Sequence, residues 1–167
     1  DNRVNPDDDI RKYLDRPYPN LQYAGQPIRI IHLANATSCI PDWLPETPDV
    51  IKNADPDSAS FLREKIYGQY TRQDFYNALH EVVLDTLPGT KRRHSNAGAD
   101  LLTYILEKVY GMPHVQMVQQ YILTPFGMKH TVYGSAVSKK TGNRATGYNA
   151  KGIEMPIHEK WLYVHYS

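Results

Sequence analysis

Residues 100–110 read DLLTYILEKVY, and this stretch carries the clearest helical pattern of the chain. Its apolar side chains recur every three or four residues, which places them on one face of a helix: Leu101, Leu102, Ile105, Leu106 and Val109. Gly111 follows where many helices end in a left-handed residue, and Pro113 lies just beyond it. The stretch predicts an amphipathic helix that ends at residue 110.

Similar patterns lie on either side of this helix. Residues 71–74, TRQD, resemble a capping box, and the apolar residues that follow predict a second buried helical face: Phe75, Leu79, Val82, Val83 and Thr86. Residues 114–123 predict a third helix, which Pro125 would stop. The acidic run 7–9 predicts the start of a short helix near the beginning of the chain.

The remaining segments are less regular. Residues 27–34 fit a strand or a helix equally, because a short apolar run does not reveal its period. Four prolines within residues 41–57 predict a long loop, and short β-like stretches occur from residue 130 onward, around residues 131–133, 145–148 and 153–155. The predicted fold class is α+β with helix predominating, in one domain spanning residues 1–167.

Composition excludes several function classes. With 41% hydrophobic and 22% charged residues and a net charge of +1, nothing favours nucleic acid as a partner. No run approaches the roughly 18–20 apolar residues of a transmembrane segment. The single cysteine, Cys39, forbids an intrachain disulfide, and the seven histidines show no metal-ligand spacing, so neither metal nor cofactor is expected. Oligomeric state stays open.

Five short motifs together carry a resemblance to a known family. Residues 7–14 (DDDIRKYL), 28–41 (IRIIHLANATSCIP), 88–98 (PGTKRRHSNAG), 125–131 (PFGMKHT) and the pair 147–148 (GY) occur in this order. They resemble, in the same order, motifs of the serine β-lactamase and penicillin-binding-protein-like family, which includes class C β-lactamases and related esterases. The resemblance implies a helical region beside an antiparallel sheet, of which this chain would supply mainly the helical part.

The family attacks an amide or ester carbonyl with the serine of an S-x-x-K motif, forming an acyl-enzyme. No serine of this chain has a lysine three residues later. In the family that motif precedes the first of the five stretches, so we expect the chain to be an internal fragment, a partial β-lactamase-like domain. The implied function is part of a serine hydrolase acting on β-lactam, peptide or ester bonds, with a small-molecule or peptide substrate. A periplasmic or extracellular location follows from the resemblance alone.

The family's Y-x-N motif gives the candidate catalytic residues, His94 and Asn96. Asn96 matches the asparagine that contacts the substrate amide, whereas His94 replaces a tyrosine given a proton-transfer role. A neutral imidazole is a suitable base near neutral pH, and the basic residues 91–93 would keep a nearby imidazole neutral. The structural alternative is that Ser95 or Asn96 caps the following helix, and both roles can coexist.

Other departures leave alternatives open. Ala36 stands where the family has histidine, and Cys39 stands where it has a glycine that often supplies a positive φ. Cys39 is expected to be a buried, inert thiol rather than a nucleophile. Residues 140–142 spell the family's K-T-G, but they come too early in the chain and read as a turn. A catalytically inactive β-lactamase-like binding protein, or a plain structural domain, are the rival interpretations.

Overall fold

The computed structural model describes residues 3–131, 146–149 and 151–154. In chain order, the elements of this part are a 3-10 helix (Ile10–Tyr13), β1 (Gln22–Tyr23), β2 (Gln26–Pro27), α1 (Ile30–Ala34), α2 (Asp49–Lys52), α3 (Pro56–Tyr67), α4 (Arg72–His80), α5 (Asn96–Tyr110), α6 (His114–Val118) and a π-helix (Gln119–Leu123). Helix predominates over strand in this part of the chain. The predicted class, α+β with helix predominating, is confirmed.

The chain divides into two compact units. Of the described residues, the first comprises 3–46 and 72–114, and the second comprises 47–71, 115–131, 146–149 and 151–154. The motif segments 28–41 and 88–98 both belong to the first unit.

Helix α5 forms the centre of the first unit, where it packs against α1 and the 3-10 helix. The residues at its core are almost fully buried: Ile10, Leu21, Ile28, Ile40, Phe75, Leu79, Leu101 and Ile105. Phe75 of α4 meets Tyr104 of α5 edge to face, with ring centroids 5.2 Å apart. Of the predicted apolar face, Leu101 and Ile105 are buried, whereas Leu102, Leu106 and Val109 are half-buried.

The ends of α4 and α5 follow from local chemistry. Gly111 has φ 65°, and its N–H donates to the carbonyl of Glu107, so it closes α5 as predicted. The side-chain amide of Asn20 donates to the carbonyls of Leu79 and Val82, at 2.9 and 3.0 Å, and closes the end of α4. Helix α4 ends at His80, so Val83, 85% exposed, does not share its predicted buried face.

Residues 27–34, which fitted a strand or a helix equally, contain the end of a strand and then a helix. Pro27 ends the two-residue strand β2, which pairs antiparallel with β1 around a turn whose central residues, Ala24 and Gly25, have φ 46° and 76°. Two positive φ values are those of a type I′ turn, the usual connection of a tight hairpin. Helix α1 begins three residues later, at Ile30.

Helix α3 is the main element of the second unit, and the sequence did not predict it. The carboxylate of Asp55 accepts the N–H groups of Asp57 and Ser58, both at 3.1 Å, while Pro56 occupies the first helical position. The predicted long loop over residues 41–57 is therefore wrong in part, because it contains α2 and the start of α3.

The β-leaning tail lies largely outside the described residues. Within them, Tyr148 and Glu154 form a single antiparallel bridge. The predicted helix 114–123 is present as α6 and the π-helix that continues it. No helix among the described residues is long and apolar enough to cross a bilayer.

Candidate functional site

The two longest motif segments lie side by side, joined by hydrogen bonds that involve main-chain atoms. The N–H of Gly89 donates to Thr37 O at 2.9 Å, and the N–H of Arg93 donates to Ala36 O at 2.8 Å. Further along, the N–H of Ala97 donates to Asp42 O at 3.0 Å. The segment around the candidate residues is therefore held against residues 36–42.

Ser95 fastens the same two segments through its side chain. Its hydroxyl donates to the carbonyl of Pro41 and accepts the N–H of Gly98, both at 2.8 Å. With φ −154° and ψ 104°, Ser95 is the N-cap of α5. The capping interpretation is thus confirmed for Ser95, whose hydroxyl hydrogen is donated to Pro41.

His94 and Asn96 converge on one oxygen of Asp42. Asp42 Oδ1 lies 2.8 Å from His94 Nδ1, 3.0 Å from the backbone N of Asn96 and 2.9 Å from Asn96 Nδ2. The imidazole side chain is 77% exposed and that of Asp42 is 44% exposed. The structure thus brings the two predicted site residues together and adds a carboxylate between them.

Within the described part of the chain, some hydrogen-bonding atoms of this cluster are unused. Within the described residues, no hydrogen-bond partner is placed on His94 Nε2, on Asn96 Oδ1 or on the second hydrogen of Asn96 Nδ2. An exposed imidazole nitrogen accepts or donates a proton, and a primary amide pairs with a substrate amide. The basic neighbour Arg93 is committed elsewhere, since its guanidinium bonds to Asp85 at 2.7 Å.

The environment of Cys39 does not support a nucleophile. The residue is buried, its Sγ lies 3.7 and 3.8 Å from the carbonyls of Thr37 and Leu87, and burial raises the pKa of the thiol. A nucleophilic cysteine needs the opposite, a lowered pKa and access. Its φ of 64°, like the 59° of Ala36, lies in the left-handed region.

The structure tests the remaining sequence candidates only in part. Residues 140–142, which spell K-T-G, lie outside the described residues. Across the described ranges, no three His, Cys, Asp or Glu side chains are placed to hold a metal ion.

Asp42 is the site residue that the sequence interpretation missed. It directly follows Pro41, the last residue of the motif segment 28–41, and that position was the one available signal. Its partners lie 52 and 54 residues away in the chain. Only the pairing of the two segments shows that it contacts His94.

This fold is that of the β-lactamase and penicillin-binding-protein class. The chain belongs to the family described as Beta-lactamase, whose sequence model matches residues 1–162. No curated protein sequence matches the chain.

Solved structures of this class share the fold. A β-lactamase/D-alanine carboxypeptidase from Yersinia pestis is 28% identical, over 79% of this chain and 34% of that protein, with a TM-score of 0.59. The octameric penicillin-binding-protein homologue from Pyrococcus abyssi is 24% identical over 92% and 33% of the two chains, with a TM-score of 0.64. A D-stereospecific amidohydrolase from Streptomyces sp. is 21% identical over 98% and 48%, with a TM-score of 0.68. The chain thus spans between a third and a half of the length of these proteins.

Proposed function

We propose that this chain is part of a serine hydrolase that cleaves β-lactam, peptide or ester bonds through an acyl-enzyme. It contributes one wall of the substrate cleft, with His94 in proton transfer and Asn96 in contact with the substrate amide. The nucleophile belongs to an S-x-x-K segment that these 167 residues lack.

The observation that carries the proposal concerns His94, where hydrogen bonds hold the main chain while the side chain is exposed. The backbone on either side is held, by the bond from the Arg93 N–H to the Ala36 carbonyl and by the bond from the Ser95 hydroxyl to the Pro41 carbonyl. The imidazole between these anchors is nevertheless 77% exposed. A proton-transfer group needs such a held main chain and an accessible nitrogen.

The chemistry requires a group that takes up a proton and returns it. When a serine Oγ attacks the acyl carbon, its proton must leave as the new C–O bond forms, and the leaving nitrogen or oxygen takes a proton as its bond breaks. Hydrolysis of the acyl-enzyme repeats the exchange with water. An imidazole serves in both directions near neutral pH.

Covalent labelling tests the proposal. We expect a fluorescent penicillin or a fluorophosphonate probe to leave the 167-residue chain unlabelled, because no serine in the sequence has a lysine three residues later. A gene product that contains these residues together with an S-x-x-K should be labelled. In that product, His94→Ala should slow acylation by about 10²–10⁴-fold, the usual contribution of a general base.

Lys91→Ala supplies the matched control, because Lys91 is an exposed residue of the same segment and should leave the labelling rate unchanged. Stoichiometric serine labelling of the 167-residue chain would contradict the proposal. So would an unchanged acylation rate in the His94→Ala variant.

A second candidate function is ligand binding without turnover. The amide of Asn96 already donates one hydrogen to Asp42, and Ala36, Cys39 and His94 all depart from the family pattern. An S-x-x-K product that binds a β-lactam or a D-amino-acid peptide reversibly, yet forms no covalent adduct, would favour this alternative.

A further inference from the structure

The hydrogen bonds at Asp42 fix which nitrogen of the His94 ring carries a proton. An ionised carboxylate only accepts hydrogen bonds. Asp42 Oδ1 takes two of them from the backbone N–H and the side-chain amide of Asn96, at 3.0 and 2.9 Å. The third contact, 2.8 Å to His94 Nδ1, is a hydrogen bond only if Nδ1 carries the hydrogen.

We propose that Asp42 is a positioning residue that holds neutral His94 as its Nδ1–H tautomer, leaving the lone pair of Nε2 exposed as the proton acceptor. The tautomer follows from the geometry, whereas its catalytic meaning rests on the function proposed above.

Asp42 is itself held in place. Its carbonyl accepts the N–H of Ala97, and the carbonyl of Pro41, one residue earlier, accepts the hydroxyl of Ser95. The carboxylate is therefore fixed at the start of α5 before any ligand arrives. A fixed acceptor orients the ring at little further entropic cost, which is the function of a supporting residue.

The proton balance of the proposed step uses both nitrogens. Nε2 takes the proton of the attacking hydroxyl, and the imidazolium then carries a hydrogen on each nitrogen, with its charge beside the Asp42 carboxylate. Nε2 returns that proton to the leaving group, and Nδ1 keeps its hydrogen throughout. After the step the imidazole is again neutral, with its hydrogen on Nδ1.

The tautomer can be measured on the 167-residue chain, without nucleophile or substrate. In a chain labelled with ¹⁵N at histidine, the protonated nitrogen and the lone-pair nitrogen have well-separated shifts above the pH range where imidazoles titrate. His94→Gln identifies the signal. We expect the Nδ1–H form to predominate in the wild type.

Asp42→Ala removes the acceptor, and the ratio of Nδ1–H to Nε2–H at His94 should then fall about three- to tenfold, the size of one net hydrogen bond. Asp85→Ala is the matched control, because it removes the carboxylate that pairs with Arg93, next to His94, without touching the ring. The ratio should stay within about twofold of the wild type in this control.

Asn96→Ala keeps the Asp42 contact and should also retain the Nδ1–H form, so the proposal stays testable if Asp42→Ala fails to fold. An Nε2–H majority in the wild type would overturn the proposal, as would an unchanged ratio in a folded Asp42→Ala. Neither result depends on probe labelling, so failure of the tautomer and failure of the proposed function are separate outcomes.

Discussion

Replacing Ser95 by alanine should destabilise the first unit by about 1.5–2.5 kcal/mol. The change removes an N-cap, which usually contributes about 1 kcal/mol. It also deprives the half-buried carbonyl of Pro41 of its donor, and a net hydrogen bond of this kind contributes about 0.5–1.5 kcal/mol. Both hydrogen bonds are 2.8 Å long, so we expect each of them to contribute to stability.

Urea unfolding followed by far-UV circular dichroism measures the effect. The midpoint should fall while the dependence on denaturant stays unchanged, because the surface exposed on unfolding is nearly the same. Ser95→Thr is the control, since threonine keeps the hydroxyl and caps helices almost as well. The threonine variant should lose less than half of the free energy of unfolding that the alanine variant loses.

The same variant probes the link between the cap and the site. Without the Ser95 hydroxyl, residues 41 and 42 lose one of the bonds that hold them against α5, so the His94 ring should also lose part of its tautomer preference. A loss of stability below about 0.5 kcal/mol in Ser95→Ala would refute the reasoning, because the hydroxyl would then not act as a cap.

Three further changes have definite expected outcomes. Ala24→Asn should raise the free energy of unfolding by about 0.5–1 kcal/mol in urea titration, because asparagine tolerates the left-handed φ of this turn; a loss would contradict the type I′ assignment. Gly98→Ala should lower it by about 1 kcal/mol, because the added Cβ would lie 3.0 Å from Ser95 Oγ and 3.3 Å from Ser38 Oγ, and a gain would show that the contact relaxes freely. The Cys39 thiol should react with an aromatic disulfide reagent far more slowly than a free thiol. Because its folded pKa is raised, stability should decline relative to Cys39→Ala as pH rises above the ordinary thiol pKa of about 8.5; equal pH profiles would contradict this.

The sequence was most informative where one physical signal dominates. Helix α5 combines apolar residues at helical spacing with Gly111 at its end, and both signals are local, so its identity and its end were predicted. The motif order likewise indicated the family, because it depends on residue identity rather than on packing.

Helix α3 shows how a local signal can be misread. Its pattern is weakly amphipathic, and Pro56 was counted with the loop prolines of residues 41–57. In the structure Pro56 occupies the first turn, directly after the capping residue Asp55, where a missing N–H costs nothing. Asp-Pro before a polar helical stretch predicts a helix start as well as a loop.

Asp42 illustrates what no local signal could give. Its role depends on two segments more than 50 residues apart lying side by side, and neither periodicity nor turn chemistry encodes that register. Residues 28 and 30 are a second example of a structure that the local sequence did not predict. Ile28 follows the hairpin, whereas Ile30 begins α1. The contact of Asp42 with His94 and the structure of residues 28–30 both depend on tertiary packing.

The departures at Ala36 and Cys39 now mean less for function than the sequence alone indicated. The bonds that join residues 36 and 37 to the segment 89–97 run between backbone groups, and both departures adopt left-handed φ values. The loop therefore keeps its conformation at some cost in strain, about 1–2 kcal/mol for each such residue. His94 is different, because there the side chain itself meets the proposed substrate. Whether the protein acts as a hydrolase or as a binding protein thus depends on the imidazole and its Asp42 partner more than on the two altered loop positions.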